Sequence, residues 1–166
     1  MNIVITGANR GLGLALTEEA LRRGHAVWAG VRDASRPAER LAQLAERHPG
    51  KLEIAPLDVT KESEIASLAG RLREAGIVVR AIVNNAAILL GRGDALERLD
   101  IADLERTMDV NVYGPIRMAK HFLPLLPPDG EAAVVNVSSA SGSFHRAYGG
   151  DYSYAISKAA LNMFSR

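Results

Sequence analysis

The sequence predicts an α/β domain: a doubly wound parallel sheet with helices on both faces. Three observations predict it. Short apolar, β-branched runs alternate with longer stretches of helical period along the 166 residues, the pattern of repeated crossover units. The first run, Ile3-Val4-Ile5, breaks into glycines and then opens a helix. Small and polar residues gather where the first, fourth and fifth runs end, at 6–13, 84–87 and 138–139. That is the edge at which open α/β sheets take their ligands.

In chain order, residues 3–5 make the first strand, and Thr6-Gly7-Ala8-Asn9-Arg10-Gly11-Leu12-Gly13 is the turn out of it. Strand, glycine turn and helix together form the arrangement that binds a dinucleotide pyrophosphate. Gly7 allows the tight exit, Gly11 a close backbone approach to the phosphates, and Gly13 close packing of helix on sheet. The helix aims its free N–H groups and the positive end of its dipole at the phosphates. Leu14, Leu16, Ala20 and Leu21 form its apolar side, and Gly24 ends it. Residues 26–31 read as a second strand buried on both faces, followed by a polar loop over 32–37. Pro37 suits the first turn of the next helix, which turns Leu41, Leu44 and Ala45 inward and stops at Pro49-Gly50. Residues 52–57 are the third strand and run into Asp58-Val59-Thr60. Thr60 or Ser63 suits the cap of a helix that carries Ile65, Leu68, Ala69 and Leu72 inward as far as Gly76.

Residues 78–83 form the fourth strand and lead to Asn84-Asn85-Ala86-Ala87. A loop with Gly91 and Gly93 precedes one long helical stretch, 101–126, terminated by Pro124, Pro127 and Pro128. Residues 132–137 are the fifth strand, followed by Ser138-Ser139-Ala140-Ser141-Gly142 and a glycine- and aromatic-containing loop to Asp151. The last helix holds Tyr154, Lys158, Leu161 and Met163. No repeat or linker interrupts the pattern. The expectation is one domain over 1–166 with strand order 3-2-1-4-5.

Composition narrows the function classes. Hydrophobic residues at 48% and charged residues at 23% suit a soluble globular protein. A net charge of +1 argues against a nucleic-acid role, since no basic face dominates. Without cysteine there is no disulfide, thiolate or zinc–thiolate chemistry. The four histidines lack metal-ligand spacing, so no metal is expected. No signal peptide and no run of membrane-spanning length is read, and a cytoplasmic protein with no membrane partner is the expectation.

Tyr154 and Lys158 lie one helical turn apart on one face. An ammonium beside a phenol favours the phenolate and lowers a pKa that starts near ~10. Such a tyrosine can pass a proton to or from a substrate oxygen near neutral pH. A nearby serine hydroxyl can hold the same oxygen and stabilise its charge. Strand alternation lets only one of Ser138 and Ser139 face that site. Asn111 sits in the long helical stretch, where an asparagine can also bond its own backbone.

The ordered set Thr6-Gly7-x-x-x-Gly11-x-Gly13, Asn84-Asn85-Ala86, Asn111, Ser139 and Tyr154-x-x-x-Lys158 resembles the short-chain dehydrogenase/reductase family from one end of the chain to the other. Ala8-Asn9-Arg10-Gly11-Leu12-Gly13 and Ser157-Lys158-Ala159-Ala160-Leu161-Asn162 resemble its carbonyl-reductase-like and C-factor-like members. The resemblance implies a Rossmann-type fold and NAD(P)-dependent oxidation or reduction at a carbonyl/alcohol carbon of a small molecule. Tyr154 would be the acid/base, Lys158 its partner on the nicotinamide ribose, Ser139 the group that polarises the carbonyl, and Asn111 the holder of a relay water. Thr6, Gly7, Asn9, Arg10, Gly11, Leu12 and Gly13 would cradle the cofactor. Asn84, Asn85, Ala86 and Ala87 would lie along it, with Tyr154 and Lys158 at its nicotinamide end. Asp58 and Val59 would touch the adenine, although Asp58 can also simply turn the chain.

Cofactor choice is a separate question. An NAD enzyme wants a carboxylate at the end of the second strand, and Val31-Arg32 occupies that place. Arg32 and Arg10 together suit a 2′-phosphate, so NADP(H) is expected over NAD(H). Asp33 becomes a ribose ligand if the turn shifts by one residue.

The chain departs from the family pattern in three ways. Ala87 stands where glycine is usual. Ser139 and Tyr154 are fifteen positions apart, a longer gap than common; the extra residues would fall in the 142–151 loop and are expected to reshape the substrate mouth. Tyr152 shortens the gap but has no lysine four residues on. The residues end inside the helix of Tyr154, so the expectation is an incomplete C-terminal part and a sheet edge left open at the fifth strand. By analogy with the family a homo-oligomer is expected. The rival reading is a non-catalytic, regulatory nucleotide-binding protein.

Overall fold

The fold is described from a computed structural model over residues 1–128, 130–146 and 149–166. Strands β1 (Asn2–Thr6), β2 (Ala26–Val31), β3 (Leu52–Pro56), β4 (Ala81–Asn84) and β5 (Ala133–Asn136) pair in parallel. Their order is β3-β2-β1-β4-β5, as expected. The register sets Thr6 beside Gly30 and Asn84 beside Asn136, so the carboxyl ends of the central strands line up.

Helices α1 (Gly11–Arg22), α2 (Glu39–Arg47), α3 (Glu62–Glu74), α4 (Ile101–Met108), α5 (Gly114–Phe122) and α6 (Tyr152–Phe164) complete the chain. Alternation along the strands divides the core into two layers. Val4 and Ile82 pack against Leu68 and Leu72 of α3 and Met118 and Phe122 of α5. Ile3, Ile5, Val27 and Ala29 pack the opposite way, against Leu21, Leu41 and Leu44 of α1 and α2. Each of the Val, Leu, Ile, Met and Phe side chains among these stabilises the fold by roughly 1.5–3 kcal/mol through burial. Both faces of the central strands are covered, which is why they read as continuous apolar runs. At the β5 edge, Val134 and Val135 remain 36% and 46% exposed.

Several local expectations are corrected. Pro37 lies outside α2, because the Ala38 N–H is held by Asn9 Oδ1 at 2.6 Å and the helix begins only at Glu39. Neither Thr60 nor Ser63 caps α3. Lys61 occupies the cap position without a side-chain bond, the Thr60 hydroxyl donates to Asp58 Oδ1, and Ser63 is already helical. Strand β4 starts three residues later than expected, since the Val79 N–H goes to the Leu125 carbonyl and strand pairing begins at Ala81. The long stretch 101–126 is continuous in direction but not α-helical throughout. A π turn, Asp109–Tyr113, separates α4 from α5, and a 3₁₀ turn, Leu123–Leu125, contains Pro124. Such single π turns inside helices occur frequently at functional sites, and this one contains the buried Asn111.

Candidate active site

Thr6 closes β1 and organises the cradle. Its hydroxyl oxygen accepts the N–H groups of Asn85 (3.1 Å) and Ala86 (3.0 Å). Asn85 answers by donating Nδ2 to the carbonyls of Thr6 (3.0 Å) and Gly7 (3.2 Å). The ends of β1 and β4 are thereby tied together. Gly7 turns with φ +66°, and a Cβ there would meet the Ala86 backbone at 2.9 Å. A Cβ on Gly13 would collide with the Gly7 carbonyl and the Asn85 amide. Gly11, Leu12 and Gly13 form the first turn of α1, whose N–H groups have no partner in their own helix. Among the described residues this is a cradle that a side chain would fill and an anion would satisfy.

A cleft of about 880 Å³ opens over it. Gly7, Asn9, Arg10, Gly11, Arg32, Asp58, Val59, Asn85, Ala86 and Ala87 all line this cleft, as does Asp33. Thr6 and Gly13 lie buried beneath the cradle, and the Leu12 side chain is 54% exposed outside it. Asn84 is 4% exposed and donates its amide to Asn136 Oδ1. The Asp58 carboxylate accepts from both the N–H and hydroxyl of Thr60, so it turns the chain as well as bordering the cleft. Asp33 Oδ1 accepts from the N–H and hydroxyl of Ser35, which holds the carboxyl below its ordinary value. Arg10 and Arg32 make no ion pair among the described residues.

Asn111, Ser139, Tyr154 and Lys158 are not among the residues that line this cleft, and the last two stand on α6. Lys158, 2% exposed, donates Nζ to the Val137 carbonyl at 2.7 Å and lies 5.5 Å from the centre of the Tyr154 ring. Burial pulls its ammonium from 10.5 down to about 8. Ser139 starts a 3₁₀ turn, Ala140–Gly142, its Oγ accepting the Ser141 N–H at 3.2 Å. Ser138 points elsewhere and donates to Asn162 Oδ1. The turn that Ser139 begins packs on α6 at Lys158, where a Cβ on Gly142 would meet the Lys158 carbonyl carbon at 2.6 Å. Asn111, 1% exposed, does not bond its own helix. Its Oδ1 accepts the Ile88 N–H and its Nδ2 donates to the Ile88 carbonyl, both at 2.9 Å. Of the loop expected to shape the substrate mouth, residues 147 and 148 lie outside the described residues.

Some residues that hold this site carried no sequence signal. Gly142 and Gly114 matter only because α6 and Val59 approach them closely. Arg117 of α5 donates Nη1 to the Val59 carbonyl at 3.1 Å and pairs Nη2 with Asp109 at 2.7 Å. It thus fastens two margins of the cleft from behind.

A doubly wound sheet with a glycine cradle on its first strand and a Tyr–Lys face beyond its fifth is a dinucleotide-type α/β scaffold. The chain belongs to the short chain dehydrogenase family, whose model matches residues 1–166. It is 30% identical over 165 residues to the NADP-dependent 3-hydroxy acid dehydrogenase YdfG of Escherichia coli K12, covering 99% of this chain and 64% of the relative. It is 31% identical over 164 residues to the NADPH-dependent pterin aldehyde reductase of Arabidopsis thaliana, covering 99% and 66%. The NADPH-bound carbonyl reductase from chicken fatty liver superposes with a TM-score of 0.87 at 32% identity, over 98% of this chain and 70% of that one. The chain thus spans about two thirds of the length of these relatives. No helix among the described residues is long and apolar enough to cross a membrane.

Proposed function

We propose that this chain carries the cofactor cleft and the proton-transfer residues of an NADP(H)-dependent oxidoreductase acting on a carbonyl or alcohol carbon. The observation that carries the reading is the Tyr154–Lys158 pair. A buried ammonium held 5.5 Å from a phenol ring, beside the turn begun by Ser139, is an acid–base arrangement. The cofactor supplies the hydride; the cradle, with its free α1 N–H groups and the room that Gly7 and Gly13 leave, suits a pyrophosphate.

In this reading Tyr154 gives its proton to the substrate oxygen during reduction and takes it back during oxidation. Lys158 is held at the end of the sheet by Val137 and stabilises the phenolate. Ser139 holds the substrate oxygen, and Asn111 fixes the Ile88 backbone on the cleft wall. Arg10 and Arg32 would hold a 2′-phosphate, while Asp33 is already bonded to Ser35. The relatives' names support the same cofactor. The test is Tyr154→Phe: carbonyl reduction disappears while NADPH binding stays within about twofold. Unchanged turnover in that variant overturns the mechanism.

A further inference from the structure

One buried hydroxyl joins Asn111 to the helix of Tyr154, and the proton transfer itself makes no use of it. Ser157 is 0% exposed and lies between Tyr154 and Lys158. Its Oγ donates to the Tyr154 carbonyl at 2.7 Å and accepts from Asn111 Nδ2 at 3.0 Å. A carboxamide nitrogen has two hydrogens. One goes to the Ile88 carbonyl and the other to Ser157, while Oδ1 takes the Ile88 N–H. All of these contacts make one path: cleft wall at Ile88, Asn111 on the π turn, Ser157, then the backbone of Tyr154.

We propose that Ser157 is a positioning residue, setting the placement of α6, and with it the Tyr154 hydroxyl, against the cleft wall through Asn111. Within a helix the Tyr154 carbonyl already receives the N–H four residues on. The serine bond to it is therefore a second one, and its effect is to fix the hydroxyl rotamer so that a lone pair faces Asn111. The hydroxyl donates one way and accepts the other, so each bond polarises the next. Through it the π turn that presents Asn111 is tied to α6 by a buried side-chain bond. This role rests on the oxidoreductase reading for its effect on turnover, but not for its effect on Ile88.

The experiment compares Ser157→Ala, Asn111→Ala, the double variant and Ser157→Thr in the purified protein. One lost hydrogen bond that is used in placing a reacting group corresponds to roughly a tenfold change. Ser157→Ala is expected to lower kcat for NADPH-driven carbonyl reduction about tenfold, with KM for NADPH within about twofold. Ser157→Thr, which keeps the hydroxyl, recovers most of the loss, and the double variant is no worse than Asn111→Ala alone. Hydrogen exchange at the Ile88 amide rises about tenfold in Ser157→Ala, a readout that needs no turnover. Unchanged Ile88 protection overturns the proposal, whether or not the chain reduces carbonyls. So do losses that multiply in the double variant. Absence of turnover in the parent protein, with the exchange effect present, counts against the oxidoreductase reading alone. If Ser157→Ala fails to fold, Ser157→Cys is read by the same exchange measurement.

Discussion

Lys158 Nζ reaches the Val137 carbonyl at 2.7 Å while only 2% exposed, so the helix of Tyr154 is fastened to the end of β5 by a charge with little water around it. Burial brings that ammonium from 10.5 to about 8. Below pH 8 the lysine is charged in both the folded and unfolded chain, and the folded state bears the whole desolvation cost. Between about 8 and 10.5 the folded form sheds its proton first, the cost fades, and stability rises with pH. Lys158→Met is therefore expected to be more stable than the parent at about pH 7. The shift contributes up to about 3 kcal/mol, from which the lost hydrogen bond takes about 1. The advantage disappears above about pH 10. Urea unfolding of both proteins at the two pH values reads it, and equal midpoints near neutrality would refute it. Activity is lost in the same variant, an exchange of function for stability.

The glycines of this chain differ in kind. Gly13→Ala sets a methyl against the Gly7 carbonyl and the Asn85 amide, so the cradle must shift. Overpacking of that sort costs about 1–3 kcal/mol, and NADPH affinity falls roughly tenfold or more. Gly70, inside α3, has open space where an alanine methyl would go, with nothing within 4 Å. Gly70→Ala is expected to stabilise by about 0.5–1 kcal/mol. Thermal melts of the two variants should therefore move in opposite directions.

Thr6 offers a third test. Thr6→Val removes the acceptor of the Asn85 and Ala86 N–H groups at nearly constant volume. Leaving a fully buried donor unpaired costs about 1–3 kcal/mol; these two are part-buried beside the cleft, so a total loss of about 1–3 kcal/mol is expected for the pair. Thr6→Ser keeps the oxygen and stays within about 1 kcal/mol of the parent. Chemical denaturation distinguishes a bracket from a mere filler: equal losses in both variants would mean that the methyl, not the oxygen, matters.

How much of this was legible in the sequence depends on how far apart the interacting residues lie. The glycine cradle and the five strands follow from local period and from Gly7, Gly11 and Gly13, because a strand–turn–helix unit is written in consecutive residues; the strand order follows from the resemblance to a Rossmann-type fold, since no local signal says which strands pair. The Tyr154–Lys158 pair is a helical i, i+4 relation and is equally local. The π turn at 109–113 is not legible, since apolar spacing on either side of it fits one uninterrupted helix. Pro37 and Thr60 suit helix starts locally, but Asn9 holds the backbone after the first and Asp58 takes the hydroxyl of the second. Ser157, Arg117 and Gly142 acquire meaning only from partners 46, 58 and 16 positions away, Asn111, Val59 and Lys158. A sequence pattern carries no trace of such approaches.

Cofactor choice yields the last prediction. NADP(H) differs from NAD(H) by one phosphate, so a residue that reads it should affect one cofactor alone. Arg10 and Arg32 border the cleft and have no ion pair to break among the described residues. A charge-assisted hydrogen bond is worth about 1.5–3 kcal/mol. Arg10→Ala and Arg32→Ala are each expected to weaken NADPH binding about 10–100-fold and to leave NADH within about twofold. Asp33 is the competing ribose ligand, but its Oδ1 is held by the Ser35 N–H and hydroxyl. Asp33→Asn should therefore leave NADH affinity within about twofold. Fluorescence titration of the three variants with both cofactors separates the cases. Arginine variants that bind NADPH normally, together with an Asp33→Asn variant that loses NADH roughly tenfold, would reverse the preference. The turn after β2 would then present its carboxylate to a ribose rather than its guanidinium to a phosphate.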